Sequence, residues 1–346
     1  MDVNVEIQNF IRVWFAAIGA LCYCYYCVTR IPSGILRLLF VLPLVYFFLI
    51  LPLDLSSFHL GAPTVFYLVW LANFKILLFC FDRGPLSSSL PLLHFISIAL
   101  LPVKPQHAVR GGSRILTQHV QSPGLLLGKV ILLAGIIRAY SYRGLLPKNV
   151  ILVLYCFHIY LGLELVLAIT VVPVRALLGL ELEPQFNEPY LSTSLQDFWG
   201  RRWNLMVPGI LRPSVYLPVR AISTHALGKE LGKLPAIFAT FLVSGLMHEL
   251  IYYYLSRARP TWEVTWFFVL HGICVCVEVT VKKYFGGGWL VNRVISCVLT
   301  LAFVAWTADW LFLPQIIRNR LDLKTINEYY VLGSLVKDKL LPFLGF

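Results

Sequence analysis

Charged side chains are scarce in this sequence, and acidic ones are the scarcest. Only 13% of the 346 residues are charged, and 17 acidic residues stand against 29 lysines and arginines. Soluble domains carry about 25% charged residues, whereas 58% of this chain is hydrophobic. The shortage excludes an ordinary soluble domain and predicts an all-α, polytopic membrane protein.

Long hydrophilic segments are equally rare, and 173–234 is the one that interrupts the apolar segments. We therefore expect a single membrane domain over 1–346. The net charge of +12 favours cytosolic basic loops and contact with anionic lipids or an anionic substrate. Nucleic acid is not expected as a partner, because no long basic run with interleaved aromatic residues is present.

Disulfide and metal frameworks are also missing. The eight cysteines lie in apolar surroundings without the spacing of a metal site, so we expect small buried hydrophobic residues and no metal. The first apolar run follows Asp2 and Glu6 and continues past Arg12. This pattern predicts a retained helix rather than a cleaved signal peptide.

Nine apolar segments predict eight or nine transmembrane helices. They are 8–28, 35–53, 63–82, 88–102, 124–140, 149–172, 235–256, 262–284 and 290–313. Segment 88–102 is short and bounded by two prolines, so it is predicted either to span or to be re-entrant.

The connecting segments carry further expectations. The loop 104–124 contains three basic residues and no acidic one, which predicts a cytosolic position. Residues 215–233 alternate basic and apolar side chains and are predicted to form an interfacial amphipathic helix on the cytosolic surface. The tail 316–346 is predicted to be mostly solvated.

Segment 235–256 is apolar but carries His248 and Glu249 in its middle. A helix of this length crosses a hydrocarbon core of roughly 30 Å, and polar groups at that depth cost several kcal/mol unless they are partnered. Ser244, His248 and Tyr252 follow one helical stripe, while Glu249 points about 100° away. Gly245 would allow close approach of another helix or a ligand.

An imidazole at bilayer depth is expected to be neutral, which is the state required of a general base. His248 is therefore predicted to be catalytic, with Ser244 and Glu249 supporting it. Other catalytic plans fit less well, because the chain has no Gly-x-Ser-x-Gly elbow, no His-Glu-x-x-His, and no His followed four or five residues later by Asp. Ser244 as a nucleophile would lack obvious oxyanion donors.

A second unusual stretch is Asp-Phe-Trp-Gly-Arg-Arg-Trp-Asn at 197–204. An interfacial aromatic belt would explain its tryptophans and arginines, but such a belt needs neither Asp197 nor Asn204. Asn204 is predicted to donate to a developing oxyanion or to fix an acyl group. Arg201 and Arg202 suit a phosphorylated ligand, since guanidinium binds phosphate in bidentate pairs.

Other polar residues inside predicted spans suggest a different class of protein, a lipid transporter or scaffold. Its polar pathway would use five side chains: His158, Glu164, His271, Glu278 and Asp309. For His158 and Glu164, which do not share a helix face, interhelical contacts are the simpler interpretation. No internal repeat is visible, which weighs against a transporter.

The stretches 184–207 and 243–250 resemble the membrane-bound O-acyltransferases, and specifically their plant wax synthase branch. Segments 67–78, 257–272 and 310–315 add to the resemblance, which extends over the whole chain. It implies that the catalytic part lies at about 184–284 and that His248 and Asn204 form the reaction centre in a tunnel. It also implies a multi-pass enzyme of the endoplasmic reticulum membrane.

The resemblance further implies an acyl-CoA-dependent O-acyltransferase that esterifies a lipophilic alcohol, with acyl-CoA as co-substrate and no bound cofactor. A long-chain fatty alcohol is the expected acceptor, while a sterol, diacylglycerol with acetyl-CoA, or a protein Ser or Lys remain alternatives. Asp197 is expected to support the site, and the predicted substrate contacts are Trp199, Arg201, Arg202, Trp203, Tyr252 and His271. The enzyme is expected to act as a monomer or a homodimer.

Overall fold

The computed structural model describes residues 2–103, 123–179, 182–284, 292–335 and 337. Fifteen α-helices make up most of these ranges. They are α1 Val3–Tyr26, α2 Ile35–Ile50, α3 Phe58–Val65, α4 Asn73–Phe79, α5 Leu92–Leu100, α6 Pro123–Ala139, α7 Lys148–Leu178, α8 Leu195–Asp197, α9 Met206–Leu211, α10 Leu217–Leu231, α11 Lys233–Ser256, α12 Glu263–Tyr284, α13 Arg293–Thr307, α14 Leu313–Arg318 and α15 Leu321–Leu335. Four π-helical segments join some of them: Phe66–Ala72, Phe198–Arg202, Arg212–Tyr216 and Ala308–Phe312.

Eight helical stretches within these ranges are long and apolar enough to cross a membrane, which confirms the all-α polytopic prediction. They are Val3–Arg30, Ile35–Asp54, Phe58–Phe79, Gly124–Tyr142, Lys148–Ala176, Lys233–Ser256, Glu263–Tyr284 and Arg293–Arg318. The ninth predicted segment, 88–102, does not span, because its helix α5 has nine residues and is only about 13 Å long.

A buried lysine holds α5 in place. The side chain of Lys75 is fully buried, and its ammonium donates to the carbonyls of Ile98 and Leu101 at 2.6 and 2.7 Å. The last carbonyls of a helix lack partners within it and carry partial negative charge. Lys75 therefore satisfies the end of a helix that is too short to cross the membrane.

The two ends of the bundle are distinguished by their polar contacts. At one end, Lys282 of α12 donates to Ser194 at 3.1 Å. We call this the block end, because it adjoins the aromatic and arginine-rich stretch 197–204. At the other, the terminal end, Glu6 of α1 accepts from the backbone of Ser56 and Ser57 at 2.8 and 2.7 Å. Helix α10 packs against α11 and contains no buried residue, and its place on the membrane surface stays a prediction. The predicted cytosolic loop 104–124 lies mostly outside the described residues.

The tail was predicted to be mostly solvated, and this is wrong for 321–335. Helix α15 packs against α3, and Glu328 accepts from the backbone of Phe58 and His59 at 2.7 and 2.9 Å. Burial alone would raise the pKa of Glu328, but hydrogen bonds from His59, Phe58 and Ser57 outweigh it and lower that pKa to about 2. An ionised carboxylate at the start of α3 also fits the positive end of that helix.

Two glycines allow α11 and α12 to pack closely. A Cβ added to Gly245 would lie 3.0 Å from the Cα and 3.2 Å from the carbonyl oxygen of Thr265. A Cβ added to Gly272 would lie 2.8 Å from the Cβ of Phe241. The close approach that Gly245 was expected to allow is thus made by a neighbouring helix.

We expect Gly245→Ala to destabilise the protein by roughly 1–3 kcal/mol, because backbone atoms of α12 would have to move. The measurement is the thermal midpoint of the detergent-solubilised protein. Gly128→Ala in α6 is the matched control, since no atom would lie within 4 Å of its new Cβ. Equal midpoints for the two variants would contradict this account of the α11–α12 contact.

Candidate active site

His248 is held by one hydrogen bond and three aromatic rings. Its Nδ1 lies 2.7 Å from the carbonyl oxygen of Ser244. The imidazole stacks on Phe268 at 4.3 Å between centroids, and Trp70 and Phe312 meet it at 5.2 and 6.0 Å. Since a carbonyl only accepts hydrogen bonds, Nδ1 carries the proton, and Nε2 of the neutral ring presents its lone pair.

Asn204 is presented by a tightly bonded turn. Trp203 N–H donates to Phe198 at 2.9 Å, and Leu205 N–H donates to Gln185 at 2.7 Å, so both flanking peptides are fixed. Asn204 itself has φ +36°, a left-handed conformation that Asn tolerates better than most residues. Its side chain is 7% exposed, and its Oδ1 has no partner among the described residues.

Two cavities meet at these side chains. The larger has a volume of about 980 Å³ and the smaller about 290 Å³. Six residues line both: Ile159, Leu163, Asn204, His248, Phe312 and Leu313. Four of the six are hydrophobic, so the predicted pair supplies the polar side chains at the junction.

The larger cavity extends from the junction towards the block end. Trp199, Trp203 and Ser244 line it, as does the exposed Arg212. Between α7 and α13 its walls include Phe157 and Val298, which are 49% and 60% exposed. The cavity is thus lined by Arg212 and the tryptophans of 197–204, and by exposed apolar residues between α7 and α13.

The two adjacent arginines differ in their contacts: Arg202 pairs with Asp197, whereas Arg201 is exposed. The Nε of Arg202 donates to Asp197 at 2.7 Å, and its Nη1 donates to the carbonyls of Asn187 and Glu188 at 3.2 Å each. Arg202 and Asp197 therefore shape the turn that carries Asn204. Arg201 is exposed, and neither arginine lines the larger or the smaller of the two cavities.

The other polar residues of α11 lie on two sides of the helix. Glu249 is 3% exposed and its Oε1 accepts from the backbone of Thr265 on α12 at 3.3 Å. Tyr252 lines the smaller cavity and donates to the carbonyl of Phe312 at 3.0 Å. Glu249 supports the helix pair, while Tyr252 continues the stripe of Ser244 and His248 along the cavities.

His271 does not line either cavity. It is fully buried, its Nδ1 donates to the Phe267 carbonyl at 2.9 Å, and its ring lies 5.5 Å from that of Trp199. His271 therefore lies behind two residues, Trp199 and Phe267, that do line the larger cavity.

No role was predicted for the rings that enclose His248 or for the arginine at the larger cavity, although the three rings fall within the segments 67–78, 257–272 and 310–315 that add to the resemblance. Trp70 and Phe312 both belong to π-helical segments, which often mark functional sites but have no reliable sequence signal. Phe268 is one of 23 phenylalanines, so composition could not single it out. Arg212 adjoins Pro213 in another π-helical segment.

The proposed transporter pathway is not assembled. Lys129 pairs with Glu164 at 2.6 Å, and Lys282 pairs with Glu278. His158 contacts the hydroxyls of Tyr140 and Tyr329 at 3.2 Å each. These are separate interhelical or intrahelical contacts, and of the five residues considered for the pathway only His158 lines either of the two cavities.

Comparisons with known proteins agree with this geometry. A sequence profile described as the membrane bound O-acyl transferase family matches residues 182–270, which include Asn204 and His248. A long-chain-alcohol O-fatty-acyltransferase from Simmondsia chinensis is 52% identical over all of both chains. The acyl-CoA–sterol O-acyltransferase 1 of Arabidopsis thaliana is 45% identical over 98% of this chain and all of its own.

A third relative, the probable long-chain-alcohol O-fatty-acyltransferase 1 of Arabidopsis thaliana, is 46% identical over 96% of this chain and 98% of its own. Similarity at this level over nearly complete chains extends well beyond the two conspicuous stretches. The chain therefore belongs to the membrane bound O-acyl transferase family.

Proposed function

We propose that this chain transfers a fatty acyl group from coenzyme A to the hydroxyl of a long-chain alcohol, in the endoplasmic reticulum membrane. The observation that carries the proposal is the junction of two apolar cavities at His248 and Asn204. Both cavities are built by one chain, so the reaction needs no residue from a second copy.

The geometry supports a direct transfer without an acyl-enzyme. Nε2 of His248 accepts the hydroxyl proton while the alcohol oxygen attacks the thioester carbonyl. The side-chain amide of Asn204 donates to the oxyanion of the tetrahedral intermediate. When the intermediate collapses, the carbon–sulfur bond breaks, and the imidazolium returns its proton to the leaving thiolate as the ester forms.

The apolar walls of the junction also favour ester formation over hydrolysis. Phe268, Phe312, Ile159 and Leu163 surround the reacting atoms, and exclusion of water protects a reactive acyl group from side reactions. Coenzyme A would approach from the block end, where Arg212 lines the larger cavity. Lipid-soluble substrates have a lateral path between α7 and α13.

The relatives favour a long-chain alcohol over a sterol as the acceptor. Long-chain-alcohol enzymes are found at 52% and 46% identity, and a sterol enzyme at 45%. Because the sterol relative covers nearly the whole chain, sterol esterification is the second candidate. Microsomes incubated with labelled acyl-CoA and either hexadecanol or a sterol separate the two, and preferential sterol ester formation would overturn the first.

Replacing His248 tests the general base. We expect His248→Ala to lower the rate on the order of 10²–10⁴-fold, because no other group at the junction can take the hydroxyl proton. The measurement is ester formation in microsomes at matched protein level. His225→Ala on the exposed face of α10 is the control, and near-normal turnover of His248→Ala would remove His248 from the mechanism.

Replacing Asn204 tests the oxyanion donor separately from the backbone. Asn204→Gly retains the left-handed conformation without strain, while Asn204→Asp retains the size of the side chain. Both remove the amide donor, and we expect both to lower kcat on the order of 10²–10³-fold. If Asn204→Gly kept nearly full kcat, the side chain would have no catalytic role.

Replacing Arg212 tests the approach of coenzyme A. We expect Arg212→Ala to raise the KM for acyl-CoA roughly 3–10-fold with little change in kcat, since an exposed charge contact contributes to binding only. Arg220→Ala is the matched control, because Arg220 is exposed on α10 and lines neither cavity. Equal KM values for the two variants would place the phosphates elsewhere.

A further inference from the structure

The two cavities differ in their access to the outside. The larger one is lined by exposed residues, among them Arg212 towards the block end and Phe157 and Val298 between α7 and α13. In the described part of the chain, no exposed residue lines the smaller cavity. The smaller cavity is therefore a blind pocket, which a substrate enters from the junction at His248 and Asn204.

The smaller cavity runs from the junction towards the terminal end. Residues spaced by one helical turn line it: Phe58, Ala62, Phe66 and Trp70. Trp70 meets His248 with ring centroids 5.2 Å apart, whereas Phe58 follows Ser57, which accepts no substrate but contacts Glu6 at the terminal end. Positions 58 and 70 are roughly 18 Å apart along a helix axis. An extended alkyl chain advances about 1.25 Å per carbon, so about fourteen carbons fit along this length.

Ala62 interrupts an otherwise aromatic stripe, and Gly162 leaves a similar gap on α7. Ile159 and Val166 line the smaller cavity about one turn to either side of Gly162. Within 4 Å, a Cβ added to Gly162 would meet only the Cδ2 of His158, at 3.8 Å. Close packing therefore does not require a glycine at this position. The two small residues leave open space in the pocket instead.

The direction of the thioester decides which substrate chain enters the pocket. In the proposed reaction, coenzyme A approaches through the larger cavity from the block end, and the thioester carbonyl reaches His248 and Asn204. The acyl chain leaves the carbonyl carbon on the side away from sulfur, and the smaller cavity extends to that side. The opening between α7 and α13 then stays free for the alcohol.

We propose that the smaller cavity holds the acyl chain, and that Ala62 and Gly162 set the length of the acyl chain that fits. The proposal deepens the proposed acyl transfer and depends on it. Positions 62 and 70 are roughly 12 Å apart along the helix axis, which is the level of about the tenth chain carbon at about 1.25 Å per carbon. A longer side chain at position 62 leaves room for a decanoyl chain and displaces the end of a palmitoyl chain.

Competition within one reaction tests the proposal. In the acyl arm, microsomes containing the enzyme receive hexadecanol with equal amounts of decanoyl-CoA and palmitoyl-CoA. In the alcohol arm, they receive palmitoyl-CoA with equal amounts of decanol and hexadecanol. The ratio of long-chain to short-chain ester is measured in each arm. Because both products form in one tube, the amount of folded protein does not change the ratio.

The variants are Ala62→Leu and Gly162→Val. Each buried methylene contributes about fourfold to binding, and the added side chain displaces about one to three methylenes. We therefore expect each variant to lower the acyl ratio roughly 4–60-fold and to leave the alcohol ratio unchanged. The matched controls are Ala221→Leu and Gly128→Val, at exposed positions that line neither cavity, and both should keep the wild-type ratios.

An acyl ratio that stays at the wild-type value in a variant would overturn the role of that residue. A fall of the alcohol ratio, alone or together with the acyl ratio, would overturn the placement of the acyl chain in the smaller cavity. Both results leave the acyl transfer standing. Absence of any ester product from the wild-type enzyme would instead refute the proposed function, and the role of the pocket with it.

Discussion

The hydrogen bond between Nδ1 of His248 and the carbonyl of Ser244 is the interaction on which the site depends. It joins residues one turn apart on α11, so that helix alone brings the two groups close together. It fixes which nitrogen carries the proton, and the rings of Trp70, Phe268 and Phe312 then fix the plane of the imidazole. One local bond and a set of tertiary contacts thereby aim a single lone pair into the place where two cavities meet.

Asn204, the second polar residue at the junction, is positioned by a turn rather than by a helix. Asn204 sits on an irregular turn held by backbone bonds to Phe198 and Gln185 and by the ion pair of Arg202 with Asp197. Irregular backbone is tolerated at membrane depth where protein surrounds it or where it lines a cavity. A rigid helix and a fixed turn therefore bring their side chains together without a flexible element.

Much of this arrangement was predictable from the sequence, because bilayer thickness imposes a length on every span and makes an intramembrane imidazole conspicuous. The eight apolar spans and the chemical distinctness of His248 and Asn204 follow from those constraints. The alternative left open at 88–102 is decided by packing, since a buried Lys75 satisfies a short helix that hydropathy cannot distinguish from a span. The tail was misjudged because α15 is anchored by Glu328, a charged residue that composition assigns to solvent. The roles of Arg202 and His271 depend on which neighbours fold against them.

The position of α15 has a consequence for biosynthesis. This helix lines the smaller cavity through Asp322, Thr325 and Tyr329, and it follows every other lining segment in the chain. Every other wall of the smaller cavity is synthesised earlier. The cavity therefore stays open on this side until Glu328 of α15 reaches the start of α3. A nascent chain therefore completes the lining of this cavity only after α15 has been synthesised.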